Sequence, residues 1–129
     1  MVIDTSALVA LLSGEDEAER CLQRIAGEER PLLSAASYLE AAIVIDSRYG
    51  EDGVRDLRLF LHEAGVEVVA VDRDQAEVAR KAFQRFGKGR HPAGLNFGDC
   101  FVYALAKVRA APVLFVGDDF SKTDLAGVA

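Results

Sequence analysis

Four acidic side chains stand where an apolar stretch ends or a glycine turn meets a new element, and a fifth lies inside an apolar run. Asp4 follows Met1-Val2-Ile3, Asp99 follows Asn96-Phe97-Gly98, and Asp118 and Asp119 follow Phe115-Val116-Gly117. Glu40 lies inside the apolar run Ser37 to Ile45. Carboxylates in such company are costly to bury singly, so they need partners. If they converge, the natural partner is a hard divalent cation, because carboxylates and water suit Mg²⁺ or Mn²⁺. The chemistry such a cluster supports is metal-assisted hydrolysis of a phosphodiester.

Strands that alternate with helices are the elements that could bring these acids together. Val2-Ile3 reads as a short strand and Thr5 to Leu12 as a helix, with Ser13-Gly14 as a break. Glu15 to Ala26 is an amphipathic helix, with Ala18, Cys21, Leu22 and Ile25 on one side. Pro31 to Ser34 is a second strand, Ala36 to Tyr49 a long helix stopped by Gly50, and Asp52 to Ala64 another helix stopped by Gly65. Val66 to Val71 is the clearest strand, followed by a helix over Asp72 to Phe86 and a basic loop from Gly87 to Gly94. Asp99 to Arg109 is helical and Pro112 to Val116 is the last strand.

The alternation predicts one α/β domain over residues 1–129, a mainly parallel sheet with helices on both faces in three layers. Ligands of such sheets sit beyond the carboxyl ends of the strands. Asp4, Asp118 and Asp119 fall at strand ends, Asp99 opens a helix after a turn, and Glu40 lies early in the helix after the second strand. All are therefore expected at one edge of the sheet.

Each acid also has a purely structural reading. Asp4 could cap the helix that follows it, and Asp99 could be a first-turn acid favoured by the helix dipole. Asp118, Asp119 and Asp124 could be turn residues. Glu40 fits a structural role least, because its helix is apolar on nearly every side and a surface position is hard to arrange. Thr5 and Ser6 could orient a carboxylate or a metal-bound water, or cap a helix. Ser34 reads as an ordinary strand end.

The formal net charge is −6, which taken alone disfavours a phosphate-backbone partner. Its distribution is uneven. From Arg80 to His91 the chain carries Arg80, Lys81, Arg85, Lys88 and Arg90 with no acid between them. That stretch is either an RNA-backbone surface, with Lys88, Arg90 and His91 nearest to the Asp99 helix, or a solvated helix face and a mobile loop. There is no Trp, so base stacking should be limited. Cys21, Cys100, His62 and His91 lack zinc-ligand spacing, and Cys100 reads as a buried, inert thiol. The sequence opening suggests no signal peptide and no run reaches membrane-spanning length, so a cytoplasmic setting without membrane contact is expected.

Four ordered blocks carry a resemblance. Val2-Ile3-Asp4-Thr5-Ser6-Ala7-Leu8, Ser37-Tyr38-Leu39-Glu40, Gly94-Leu95-Asn96-Phe97-Gly98-Asp99-Cys100 and Leu114 to Phe120 with Thr123-Asp124 resemble the PIN-domain ribonucleases, and among them the VapC-type toxins of bacterial toxin–antitoxin pairs. The resemblance spans essentially the whole chain. It implies a Mg²⁺-dependent endoribonuclease, which Mn²⁺ would also support, leaving 5′-phosphate and 3′-hydroxyl ends. Asp4 and Asp99 would be the principal metal ligands, with Glu40 helping to hold a metal or its water. The family's acid before Phe matches Asp119, with Asp118 adjacent. It further implies a VapB-type antitoxin as partner, and a homodimer.

A phosphatase of the haloacid dehalogenase type would need a second Asp where Ser6 stands. A response-regulator receiver would need paired acids after the first strand rather than the last. Both are disfavoured. The remaining alternative is a catalytically silent PIN-like module that binds RNA or protein without cutting.

Overall fold

The computed structural model describes residues 1–125. Its centre is a four-stranded parallel sheet in the order β3-β2-β1-β4. The strands are β1 (Val2–Ile3), β2 (Leu32–Ser34), β3 (Glu67–Val69) and β4 (Val113–Leu114). Five helices connect and cover them: α1 (Thr5–Leu12), α2 (Ala18–Ala26), α3 (Ala35–Glu63), α4 (Arg73–Phe86) and α5 (Phe97–Arg109).

The near-continuous apolar runs of the strands are explained by burial on both faces. Successive side chains point to opposite sides of a sheet, and here they divide cleanly between two cores. Val2, Leu32 and Val113 join Ala79, Ala82, Phe86, Val102 and Leu105 from α4 and α5. Ile3, Leu33 and Leu114 join Leu8, Cys21, Ile25, Ala41 and Leu57 from α1, α2 and α3. The expected three-layer α/β/α arrangement is present.

The elements differ from expectation mainly at their ends. Strand β3 is three residues rather than Val66 to Val71, because its partner β2 pairs only Leu32 to Ser34 before turning into α3. Strand β4 likewise stops at Leu114, where its partner β1 gives way to Asp4. Helix α2 begins at Ala18, with Glu15 to Glu17 in turns. The two helices expected on either side of Gly50 run together as α3, kinked at Gly50 with φ 72° and ψ −162°. That left-handed φ suits glycine and little else.

Among the described residues no helix is long and apolar enough to cross a membrane.

Candidate active site

Strand order 3-2-1-4 places a topological switch between β1 and β4, since the chain leaves β1 toward β2 on one side while β4 pairs on the other. Crevices form at such points, beyond the carboxyl ends of the strands. Asp4 sits at that end of β1, and the Gly117-Asp118-Asp119 turn follows β4.

Asp4 is the N-cap of α1, accepting from the Ser6 N–H at 3.0 Å and from the Ser6 hydroxyl at 2.5 Å. The same Ser6 Oγ accepts the Val116 N–H at 2.9 Å. One hydroxyl thus ties the exit of β4 to the first acid. Thr5 donates from Oγ1 to Glu40 Oε1 at 2.7 Å, fixing the carboxylate that α3 supplies. Helix α5 begins at Phe97 with a capping box: Asn96 Oδ1 accepts the Asp99 N–H at 2.8 Å, and Asp99 Oδ2 accepts the Asn96 N–H at 3.0 Å. The capping reading of Asp4 and the first-turn reading of Asp99 are both correct, and they do not compete with a role in the cleft. In each case the backbone amides fix the carboxylate's direction.

Asp4 and Asp99 are each only 7% exposed. Burial pushes the Asp4 carboxyl up from its ordinary range, with Glu40 and Asp119 adding repulsion against the pull of the Ser6 hydrogen bonds. Burial also raises Asp99, to about 7, and the charges of Asp4 and Asp119 add to it against the Asn96 amide. These mutual influences place Asp4, Glu40, Asp99 and Asp119 in one cleft. Of the adjacent pair, it is the charge of Asp119 that bears on both buried acids.

Glu40 corrects one expectation. It is exposed rather than excluded from the surface, because Leu39 and Ile43 beside it are also more than half uncovered. It still faces the cleft, bonded to Thr5 and resting on Gly98, where an added Cβ would lie 2.7 Å from Oε2.

The donor set fits a hard divalent cation. Four carboxylates bear on one another's charge, and among the described residues none of them has a Lys, Arg or His within 4.0 Å. The acids are not drawn together as a finished cage: among the described residues no three His, Cys, Asp or Glu side chains already stand at ligand spacing. The residues supply the charge and the donor type that such an ion takes. Cys100, adjacent to Asp99, is no rival nucleophile, since burial and the Asp99 charge push its thiol up to about 11.

The basic segment divides. Arg80 pairs with Glu77, and Arg85 with Asp124. Lys88 and Arg90 are exposed and, among the described residues, without a carboxylate within 4.0 Å, while Arg90 lies over the Phe83 ring at 5.7 Å. His91 braces the loop itself, since its Nδ1 accepts the Ala93 N–H at 3.0 Å and its ring meets Phe86 edge-on at 5.0 Å. The loop is pinned, with the Lys88 N–H donating to Leu95 O at 2.9 Å and the Leu95 N–H to Phe86 O at 2.9 Å. Sequence reasoning missed the roles of Ser6 as a bridge to β4 and of Gly98 as the seat of Glu40. Both depend on contacts between residues distant in the chain.

A family model described as the PIN domain matches residues 1–125. Ribonuclease VapC30 of Mycobacterium tuberculosis is 57% identical over 129 residues, covering 100% of this chain and 98% of that protein. Ribonuclease VapC of Mycolicibacterium smegmatis is 59% identical over 128 residues, covering 99% of each. Among solved structures, VapC20 of Mycobacterium tuberculosis, a toxin that cleaves the sarcin-ricin loop, superposes with a TM-score of 0.81 over 98% of this chain and 97% of its own at 19% identity. A toxin–antitoxin complex from Klebsiella pneumoniae matches with a TM-score of 0.71 over 95% of this chain and 92% of its own, also at 19% identity. At that identity the structures speak for the fold alone, and the sequence relatives and family model carry the assignment. The chain belongs to the PIN-domain family, within its VapC group.

Proposed function

We propose that this protein is a metal-dependent endoribonuclease toxin, hydrolysing RNA phosphodiester bonds and inhibited by a small VapB-type antitoxin. The observation that carries the reading is the mutual repulsion of Asp4, Glu40, Asp99 and Asp119 at the sheet's switch point, with no basic side chain among the described residues within 4.0 Å to neutralise them. The ribonuclease names of the sequence relatives support it.

In this reading Asp4 and Asp99 hold Mg²⁺ or Mn²⁺, with Glu40 and Asp119 completing the set. A bound ion supplies Lewis acidity, lowering the pKa of water and offsetting charge that builds on the phosphate. The chain's own contribution is orientation. Ser6 aims Asp4, the Asn96 amide aims Asp99, and Thr5 aims Glu40. With Thr5 holding Oε1, the Glu40 carboxylate would be oriented to help hold a metal ion or its water. The cytoplasm is the proposed setting, which suits the free, buried Cys21 and Cys100. A homodimer is proposed as well. The uncovered Leu39, Ile43 and Phe97 (78% exposed) supply apolar surface beside the cleft for such contacts.

Purified protein is expected to cut total RNA into discrete fragments with Mg²⁺ or Mn²⁺ and to stop cutting in excess EDTA. The same ions should raise the melting temperature, because binding to the native state alone stabilises by about 2.7 kcal/mol at a hundredfold excess over Kd. Folded protein with neither cleavage nor a metal-dependent melt would return the silent binding module as the better reading.

Lys88 and Arg90, without a carboxylate within 4.0 Å among the described residues, are the cations through which RNA backbone would be held. Replacing both with Gln should weaken RNA binding and reduce the slope of log K against log salt by about 1 to 2, as roughly 0.7 counterions are released per single-strand phosphate neutralised. A titration series in KCl measures the slope, and an unaltered slope would remove the loop from the RNA surface.

A further inference from the structure

After Leu114 the chain crosses the cleft with no helix or strand, carrying Asp119 through residues 115–125. With no strand ladder or helical turn around Asp119, other contacts must fix its backbone. Three ties do. At the entry, the Val116 N–H is held by Ser6 Oγ at 2.9 Å. In the middle, Phe120 is 2% exposed, packed into the core under α4 and α5 and edge-on to Phe115 at 5.4 Å. At the exit, Asp124 Oδ1 accepts the Tyr103 hydroxyl at 2.7 Å, and Oδ2 accepts Lys107 Nζ at 2.8 Å and Arg85 at 3.4 Å.

Asp119 and Asp124 are linked by tight local bonds rather than slack chain. Ser121 donates to Asp118 O from both its N–H, at 3.1 Å, and its hydroxyl, at 2.7 Å. Thr123 does the same to Phe120 O, at 3.1 Å and 2.7 Å. Moving Asp124 therefore moves the turn that presents Asp119.

Asp99, Tyr103 and Lys107 are spaced four residues apart on α5, so they lie along one face of that helix. The first meets Asp119 across the cleft, and the second and third hold Asp124. One helix face thus sets both the buried acid and the anchor of the acid opposite it. Charged pairs as exposed as Lys107 and Arg85 with Asp124 add little to stability, which leaves positioning as the stronger account of the cluster. The side chain of Asp124 does more than the turn reading implies, since Oδ1 reaches α5 and Oδ2 reaches both α5 and α4.

We propose that Asp124 is a positioning residue for the acid cleft, acting through Asp119: its tie to Tyr103, Lys107 and Arg85 sets how closely the fourth carboxylate approaches Asp99. The inference rests on the reading of Asp119 as a metal-holding acid.

A double-mutant cycle with Asp124→Ala and Asp119→Asn tests it, reading Mn²⁺ affinity by calorimetry without RNA and cleavage in parallel. Asp119→Asn is expected to weaken Mn²⁺ binding by about 10- to 100-fold, and Asp124→Ala by about tenfold in the otherwise wild-type protein. In the Asp119→Asn background Asp124→Ala should change affinity less than about twofold, because coupled residues fail to add. Tyr103→Phe, which keeps the ring and removes the hydroxyl, should shift affinity in the same direction and carries the cycle if Asp124→Ala does not fold. Equal losses in both backgrounds, or no loss from Asp124→Ala or Tyr103→Phe, would overturn the positioning role. An unaltered affinity in Asp119→Asn alone would instead remove Asp119 from the metal set, and the proposal with it.

Discussion

Asp99→Asn is expected to reduce RNA cleavage on the order of a thousandfold while making the metal-free protein harder to melt at pH 7.5. The two effects have one cause. Asn is nearly isosteric, and its side-chain oxygen can still accept the Asn96 N–H, so the capping box that starts α5 survives. What disappears is a negative charge, buried at 7% exposure and facing Asp4 and Asp119. With a divalent ion that charge is needed, and without one it is repelled.

The sign of the pH dependence follows from the same shift. The folded-state pKa of Asp99 is raised from 3.8 to about 7, so between those values the folded protein binds a proton that the unfolded chain releases. Stability associated with this group is therefore present at low pH and is lost as pH rises through about 7. Metal-free wild type should melt lower at pH 7.5 than at pH 5, after allowance for other groups. The Asn variant should lose most of that slope and gain on the order of 1–3 kcal/mol at pH 7.5. Circular-dichroism melts in EDTA at several pH values, beside a cleavage assay, measure both. Cleavage at the wild-type rate would take Asp99 out of the chemistry. A lower melting temperature at pH 7.5 with an unaltered slope would show that the carboxylate stabilises the fold and that the proposed repulsion is absent.

How much of this was legible in the sequence depends on how local the signal is. Strand faces were, since Val2-Ile3, Leu32-Leu33 and Val113-Leu114 each send one residue to each core. So was the convergence of Asp4 with Asp119, because the carboxyl ends of parallel strands share one edge. Strand lengths were not. Val66 to Val71 has β character throughout, yet it pairs only where β2 offers a partner. The exposure of Glu40 was also hidden. The run Ser37 to Ile45 looks like a buried helix, but burial depends on whether another element covers Leu39 and Ile43, and here both stay more than half uncovered. The choice between Asp118 and Asp119 needed the turn geometry that a Gly-Asp-Asp string does not specify.

Gly98→Ala should separate the seat of Glu40 from the acids themselves. In most helices replacing Gly with Ala is mildly stabilising, by up to about 1 kcal/mol, and Gly98 lies within α5 with no left-handed φ to protect. Stability alone thus gives no reason for glycine here. The reason is across the cleft: an added Cβ would lie 2.7 Å from Glu40 Oε2, 2.9 Å from Oε1 and 3.1 Å from the carboxyl carbon. Those atoms are the far end of a flexible side chain, so the clash is relieved by swinging Glu40 away and little folding energy is lost. The relief breaks the 2.7 Å bond from Thr5 Oγ1 and withdraws the carboxylate from Asp4. A displacement of about 1 Å at a reacting group can cost a hundredfold in rate, so cleavage should fall by about 10- to 100-fold with an equal or slightly higher melting temperature. Adding Glu40→Gln to Gly98→Ala should then cost much less than Glu40→Gln costs alone, since the carboxylate is already out of place. Full activity in Gly98→Ala would mean that Glu40 can work from a second position. A large fall in melting temperature would mean that α5 and α3 pack through Gly98 for the fold rather than for the site.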